Sequence, residues 1–560
     1  MAWFLLDFAL LAVALRAAIL AFQSLVLGGI AFVAVAGLPA GARAQPAIER
    51  CRRGIRWSAL ALTIAQLLYI AVDSAILLGT LPLSFHDVIA ADYFMAGMAS
   101  ALASMTLFFV LNRTGTVFAS RASFVLTLLP FTAVLLTSSV WTSHAVARMD
   151  DRLITALLTG AHQAAVATWV GAMPFLLASF GIVRDEGCVR FMARRFSLMA
   201  ITSVTVLILT ALGLSYFFIG SWPALYGTAY GLMVLTKSAL LACLLALGAC
   251  NWWLARSLDR RASQHPTPVG PLVAESTPWP LLLLRRIGEA ELGIGFSIIL
   301  AAASLTSQPP AVDLVQDRLT MHEIVERFRP VVPRFSTPSL DQLSPATPLE
   351  EAVHSYDTSA AAMAHNQDPD IAWSEYSHHW AGLIMLAIGM LAWLSRSSWF
   401  PWARHWPLGF IALAVFSFLR GDTENWPLGP ISFWKSFYDP EVLMHRVYDV
   451  LFLFYAAFEW GVQTGRLKSR KAAYVFPIML ALGGAGLLLH SHALGNVKDE
   501  LLIEMAHNSM GVLAVLAGWA RWLEVRLPQP EQGPASRIAA QVWPACLVLI
   551  GCLLLNYREA

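Results

Sequence analysis

Apolar stretches of about 20 residues recur along the whole length of this 560-residue chain. An α-helix of that length is long enough to cross the hydrocarbon core of a bilayer. Hydrophobic residues make up 57% of the sequence and charged residues only 13%, so burial in lipid explains the pattern better than a soluble core does. The sequence therefore predicts an all-α polytopic membrane protein.

Fourteen membrane spans are predicted from these stretches. They lie at roughly residues 4–37, 57–79, 88–111, 122–143, 153–182, 197–219, 227–255, 284–305, 376–395, 406–420, 441–464, 472–490, 500–523 and 538–557. The first stretch is longer than one crossing needs and contains Arg16 and Gln23, which favours a long tilted helix with polar side chains facing the bundle. It has no clear cleavage site, so we do not interpret it as a removed signal peptide.

The distribution of Lys and Arg sets the predicted orientation. If the N-terminus lies outside, the inner segments hold 25 of the 38 basic residues and the outer segments hold 10. This asymmetry agrees with the positive-inside rule. We therefore predict an N-out, C-out topology.

Three regions follow from the order of the spans. Residues 1–306 form an N-terminal membrane domain of about eight spans, residues 307–375 a proline-rich outer loop, and residues 376–560 a C-terminal membrane domain of about six spans. The sequence has no nucleotide-binding glycine loop, nucleophile elbow or ATPase motif. We therefore predict that the chain is not an enzyme, and its net charge of +2 gives no indication of a nucleic-acid partner.

Histidines are concentrated on the predicted outer side, which receives twelve of the fourteen. Six of them lie at the ends of four C-terminal spans: His378, His379, His445, His490, His492 and His507. Imidazole is the commonest metal ligand. Carboxylates at helical spacing accompany three of these histidines, namely Glu375, Asp449 and Glu504, and such groups can ligate a metal or orient the imidazole.

The pattern predicts one outer metal site. Its expected ligands come from His379, His445, His490, His492, Glu504 and His507. His378 and His492 are the least expected ligands of the set, because neighbours one or two positions apart point in different directions on a helix. The alternative is that histidines and acids at span ends simply contact interfacial water.

A second, separate metal-binding residue is predicted in the N-terminal domain. His162 lies about a third of the way down span five, and His144 at the end of span four is a candidate partner. Asp73 and Lys237 lie deep in spans two and seven. They either form an ion pair, belong to a proton or ion path, or are packed in neutral form inside the bundle.

Three motifs stand out in the N-terminal domain: the run TGAHQAAVATWVGAMPF at residues 159–175, the Arg-Phe-Ser run that begins at Arg195, and the Gly-Thr-x-Tyr-Gly turn at residues 227–231 before Lys237. Together they resemble the copper-resistance protein D family of bacterial inner membranes. The last third, with AWSEYSHHWAGL at residues 372–383, resembles the C-terminal extension of long family members. One departure is Ile19, where the family pattern leads us to expect a histidine one turn after the basic residue Arg16.

The resemblance implies copper handling at the inner membrane. Copper would bind at the outer histidine cluster and then cross the membrane or be delivered there, with membrane lipid and a periplasmic copper-binding protein of the CopC type as partners. A second hypothesis is a b-type haem protein, with Gly382 and Gly389 leaving room for a porphyrin. A third is a scaffold that only docks a copper carrier.

Overall fold

The computed structural model describes residues 2–113, 120–147, 150–264, 279–316, 318–340, 343, 368–489, 498–527 and 534–559. Regular structure in these residues is helical. The helices are α1 (Ala2–Phe32), α2 (Gln45–Thr80), α3 (Phe85–Ala90), α4 (Asp92–Arg113), α5 (Arg121–Trp141), α6 (His144–Ala147), α7 (Arg152–Val166), α8 (Met173–Ser179), α9 (Glu186–Phe218), α10 (Trp222–Tyr226), α11 (Ala229–Gln264), α12 (Trp279–Leu305), α13 (Met321–Arg327), α14 (Asp368–Leu394), α15 (Gly409–Arg420), α16 (Pro440–Gln463), α17 (Val475–Leu487), α18 (Lys498–Arg526) and α19 (Pro534–Leu555).

Shorter helical turns join or extend these helices. Two π-helical turns, Val33–Gly37 and Ala167–Gly171, continue α1 and α7. Turns of 3-10 helix lie at Leu38–Ala44, Ala311–Asp313, Pro401–Leu408, Lys435–Tyr438 and Ala472–Tyr474. The prediction of an all-α protein is confirmed for the described residues.

Eleven stretches among the described residues are long and apolar enough to cross a membrane. The first, Leu11–Thr80, contains both α1 and α2, which are separated by a break at Gly41, where φ is +74°. Two predicted spans are absent from the eleven: α16, which carries several charged residues, and α17, which has only 13 residues. The structure thus shows a multi-pass membrane protein, and the count of fourteen and the orientation remain predictions.

Two compact units divide the chain. The C-terminal unit comprises Met1–Leu11, Tyr226–Thr236 and Gln316–Ala560, and the N-terminal unit comprises Ala12–Leu225 and Lys237–Val315. The predicted boundaries near residues 306 and 375 remain a prediction. In the predicted loop, Thr320 begins α13 through a capping box with Glu323, close to the short helix expected at residues 319–327.

An aromatic core holds the C-terminal unit together. Trp406, Phe410, Phe476 and Trp543 are fully buried and contact one another through ring centroids 5.4–6.4 Å apart. Large aromatic side chains bury the most apolar area per residue and add edge-to-face attraction. This core fixes the relative positions of α15, α17 and α19, and with them the side chains at both ends of the bundle.

One end of this bundle carries an arginine network, defined here as Arg396, Glu459, Arg521, Glu524 and Trp543. Arg521 donates to Glu459 at 2.6 Å and to Glu524 at 2.7 Å. Glu524 also accepts hydrogen bonds from Arg396 and from the indole of Trp543. Because each carboxylate meets at least one guanidinium, the charges buried at this end are paired.

Glycine contacts bring the helices of the N-terminal unit close together. A Cβ on Gly28 would lie 2.2 Å from the backbone carbon of Gly171, and a Cβ on Gly171 would lie 1.9 Å from the backbone oxygen of Ser24. Small residues let helix backbones approach in this way in membrane proteins. The contact seats the π-helical turn Ala167–Gly171 directly against α1, which positions α7 and its His162.

Candidate metal centre

His378 and His507 meet at the end of the C-terminal bundle where α14 and α18 begin. Their ring centroids are 6.1 Å apart and the rings are nearly perpendicular. The sequence pattern pointed to His379 rather than His378 as the ligand on α14. The rotation of α14 instead places His378 beside His507.

Hydrogen bonding fixes the tautomer of both rings. Nδ1 of His378 lies 2.9 Å from the backbone oxygen of Ser374, and Nδ1 of His507 lies 2.9 Å from that of Ile503. A carbonyl oxygen can only accept, so Nδ1 carries the proton in each ring. In the neutral ring Nε2 then carries the lone pair, which is the form of imidazole that binds metals.

His445 at the start of α16 has the same arrangement with a carboxylate as its partner. Its Nδ1 donates to Oδ1 of Asp422 at 2.9 Å. Burial of Asp422 raises the pKa of this carboxyl, but attraction to His445, their hydrogen bond and attraction to Arg446 outweigh burial and hold the pKa below its usual value. A carboxylate that holds the Nδ1 proton is a common way of orienting a metal-binding histidine. Electrostatic interactions link His445 with both His378 and His507.

His379, the next residue of α14, has different hydrogen-bond partners. Its ring is 2% exposed, Nδ1 accepts from the backbone N–H of Arg334 at 2.7 Å, and Nε2 donates to the backbone oxygen of Tyr557 at 3.0 Å. Both nitrogens are therefore engaged with backbone groups. Glu375, predicted to assist His379, lies 3.3 Å from Nε of Arg334. In this arrangement His379 ties the segment after α13 to the end of the chain.

The last residues of the chain lie over the histidine pair. The ring of Tyr557 stacks on His378 with centroids 3.8 Å apart, and its hydroxyl donates to Glu559 at 2.7 Å. Glu559 also accepts from Ser374 at 2.6 Å. The guanidinium carbon of Arg327 lies over the ring of Tyr557, 4.9 Å from its centroid. Burial lowers the pKa of this guanidinium. Tyr557 thus packs against the candidate centre, a contact that its sequence position did not indicate.

Three predicted ligands remain, namely Glu504, His490 and His492. Glu504 is fully buried, with Oε1 3.5 Å from Nδ2 of Asn508. His490 and His492 lie outside the described residues. Within the described part of the chain, no three His, Cys, Asp or Glu side chains are grouped closely enough to hold a metal ion as they stand. We use the name histidine cluster below for His378, His445 and His507.

His162 in the N-terminal unit also has a fixed tautomer. Its Nδ1 lies 3.1 Å from Oγ1 of Thr210, whose own proton goes to the backbone oxygen of Val206 at 2.7 Å. Thr210 therefore accepts from Nδ1, and Nε2 carries the lone pair. Lys237 is near enough for its charge to act on this ring.

Asp73 has electrostatic partners other than Lys237, the partner that the sequence suggested. The electrostatic partners of Asp73 are Tyr69 and Arg16, and Arg16 also donates to Oγ1 of Thr142 at 3.2 Å. His144 interacts with backbone groups of residues 305 and 306, and burial lowers its pKa. Arg16, rather than Lys237, is thus the basic residue that acts on Asp73.

The expectation that Gly382 and Gly389 leave room for a porphyrin is wrong. A Cβ on Gly382 would lie 2.6 Å from the backbone nitrogen of Leu555, and one on Gly389 would lie 2.8 Å from that of Val548. The space beside both glycines is filled by the backbone of α19. These glycines permit close helix packing instead.

Part of this chain is similar to a known protein family and to a known relative. The family model described as copper resistance protein D matches residues 191–305. The copper transport protein CutJ of Bacillus subtilis (strain 168) is 30% identical over 178 residues, which is 31% of this chain and 29% of the relative. The chain thus matches less than a third of that relative's length, and no solved structure matches it. The family model covers a minority of the chain, and the similarity that it shows to the copper resistance protein D family concerns residues 191–305.

Proposed function

We propose that this protein handles copper at a bacterial inner membrane, and that the histidine cluster of the C-terminal unit binds the ion. The family match and the relative named as a copper transport protein support copper as the substrate. The ion would then be moved across the membrane or delivered there, as transport rather than catalysis. A periplasmic copper-binding protein of the CopC type remains the proposed source or recipient.

The observation that carries the proposal is the shared tautomer of three histidines from three helices. In His378, His445 and His507 the Nδ1 proton is held by an oxygen, so Nε2 is the coordinating nitrogen in every case. A metal bonded to two imidazoles at about 2 Å would hold their ring centroids roughly 6 Å apart when the rings oppose each other. His378 and His507 have that spacing already.

Additional ligands must join this pair, since the described residues do not form a complete three-ligand group. His445 is the proposed third ligand from within the described residues. His490 and His492, which precede α18 by eight residues or fewer, remain proposed ligands, as does Glu504. His162, with its coordinating Nε2, is the proposed ligand of a separate site in the N-terminal unit.

Metal analysis of the purified full-length protein, together with an optical spectrum, tests the proposal. We expect copper to copurify or to bind stoichiometrically on addition, and His378→Ala and His507→Ala each to remove most of it. The double variant should lose little more than either single variant, because ligands of one ion act as a unit.

His405→Ala is the matched control. His405 lies away from the cluster and has the opposite tautomer, because its Nδ1 accepts from the indole N–H of Trp460 at 2.9 Å. We expect this variant to keep its copper. Equal copper in all the variants would refute the site, and a Soret band that disappears in His507→Ala would replace copper with haem.

A further inference from the structure

The N-terminal unit contains a cleft that the proposed copper sites do not use. Its volume is about 580 Å³, and it is formed by α1, α7, α9 and the two π-helical turns. Val35 comes from the first of these turns and Thr168 from the second. Such π-helical insertions occur frequently at functional sites. Leu198 on the rim is 59% exposed, so the cleft opens at the surface of the unit.

The wall of this cleft is apolar. Alanines 161, 164 and 165 provide a floor of small side chains, and Leu198, Met199 and Val206 line the α9 side. Two of the hydroxyl groups that line the cleft form a hydrogen bond with each other, because Oγ of Ser203 and Oγ1 of Thr168 are 2.8 Å apart. Thr168 also bonds the backbone oxygen of Ala164 at 2.8 Å. The floor therefore suits a hydrocarbon better than a polar ligand.

One end of the cleft carries a positive charge. Arg195 lines this end, and among the described residues its guanidinium has no carboxylate partner, only the ring of Phe191 at 5.4 Å. Arg190 and Arg194 are exposed within two turns of it. An anionic group beside Arg195 would therefore gain charge-assisted hydrogen bonds with no competing ion pair.

The length of the cleft matches one leaflet of a bilayer. Arg195 and Val206 lie eleven residues apart on α9, which corresponds to about 16 Å along a helix. Half of the hydrocarbon core is roughly 15 Å. We propose that this cleft binds one acyl chain of an anionic phospholipid from the leaflet at the Glu186 end of α9, with its phosphate held by Arg195.

Native mass spectrometry of the full-length protein, reconstituted with equal amounts of phosphatidylglycerol and phosphatidylethanolamine, tests this proposal. The wild type should retain one phosphatidylglycerol in preference to phosphatidylethanolamine. Arg195→Gln should weaken that retention roughly tenfold, the effect of losing about 1.4 kcal/mol from one charged contact. Arg194→Gln, which makes the same charge change one residue away and outside the cleft, should retain the lipid.

A second pair of variants tests the apolar part. Ala164→Leu fills the floor and should displace the bound lipid, whereas Ala200→Leu, also on a helix of this unit but outside the cleft, should not. A phosphatidylglycerol preference lost equally in both arginine variants, or retained in Ala164→Leu, would overturn the proposal in favour of general surface attraction. A wild type without retained phosphatidylglycerol would overturn it outright.

Discussion

The two ends of the C-terminal bundle use buried polar side chains in opposite ways. In the arginine network, guanidinium and carboxylate groups are turned toward one another, so that Arg521 alone bonds Glu459 and Glu524. In the histidine cluster, Nδ1 of each ring bonds an oxygen. The first arrangement neutralises charge within the protein, whereas the second leaves the lone pair on Nε2, the nitrogen that we propose binds copper. Polar burial alone therefore does not identify a functional site.

The largest effect is expected from breaking the arginine network. Arg521→Ala leaves two carboxylates in a buried environment without their shared cation, which should lower the free energy of unfolding by about 3–5 kcal/mol. Thermal unfolding of the detergent-solubilised protein measures the effect. Arg537→Ala, at an exposed position of α19, should change the unfolding temperature little. Copper content per folded molecule should be unchanged in both variants.

The neighbouring histidines of α14 provide a sharper comparison. His379→Ala removes a buried ring that bonds two backbone groups, so it should lower stability by about 2–3 kcal/mol while the folded protein keeps its copper. His378→Ala should do the reverse, with a large loss of copper and a small loss of stability. Metal analysis and thermal unfolding on the same samples separate the two outcomes. Loss of copper in the His379 variant alone would reverse our assignment.

Acidity should affect the Asp422–His445 pair in a defined direction. Because the folded pKa of Asp422 lies below its unfolded value, its ionised form stabilises the protein above pH 4 or so, and this contribution is lost as the pH falls through the folded pKa. The unfolding temperature of Asp422→Asn should therefore fall less steeply than that of the wild type on acidification from about pH 4. Parallel curves for the two proteins would contradict this linkage.

The smallest effect is expected at Tyr557. Tyr557→Phe keeps the ring that stacks on His378 and removes the hydroxyl, which donates to Glu559 and also interacts with Arg327. Stability should fall by about 1 kcal/mol or less, and copper binding should match that of the wild type. Tyr557→Ala removes the stacked ring as well, so a copper affinity that changes only in this variant would show that the ring itself shapes the centre.

Several elements of the site could be predicted from the sequence, and others could not. Histidines at the starts of spans were visible as a pattern, and α16 and α18 carry His445 and His507 near their starts as expected. Asp422 was missed, although it follows the end of a predicted span at the level predicted for His445. Tyr557 gave no signal, because a chain end has no periodicity from which its docking position follows.

The helical, membrane-spanning character of this chain follows from its sequence, because apolar runs of span length have few other stable conformations in a lipid bilayer. The choice between His378 and His379 as the neighbour of His507 depends on the packing of the helices. Adjacent residues point about 100° apart on a helix, and the rotation of α14 is set by its contact with α19, where Gly382 and Gly389 admit the neighbouring backbone. That contact joins residues more than 150 positions apart, and no local pattern encodes it.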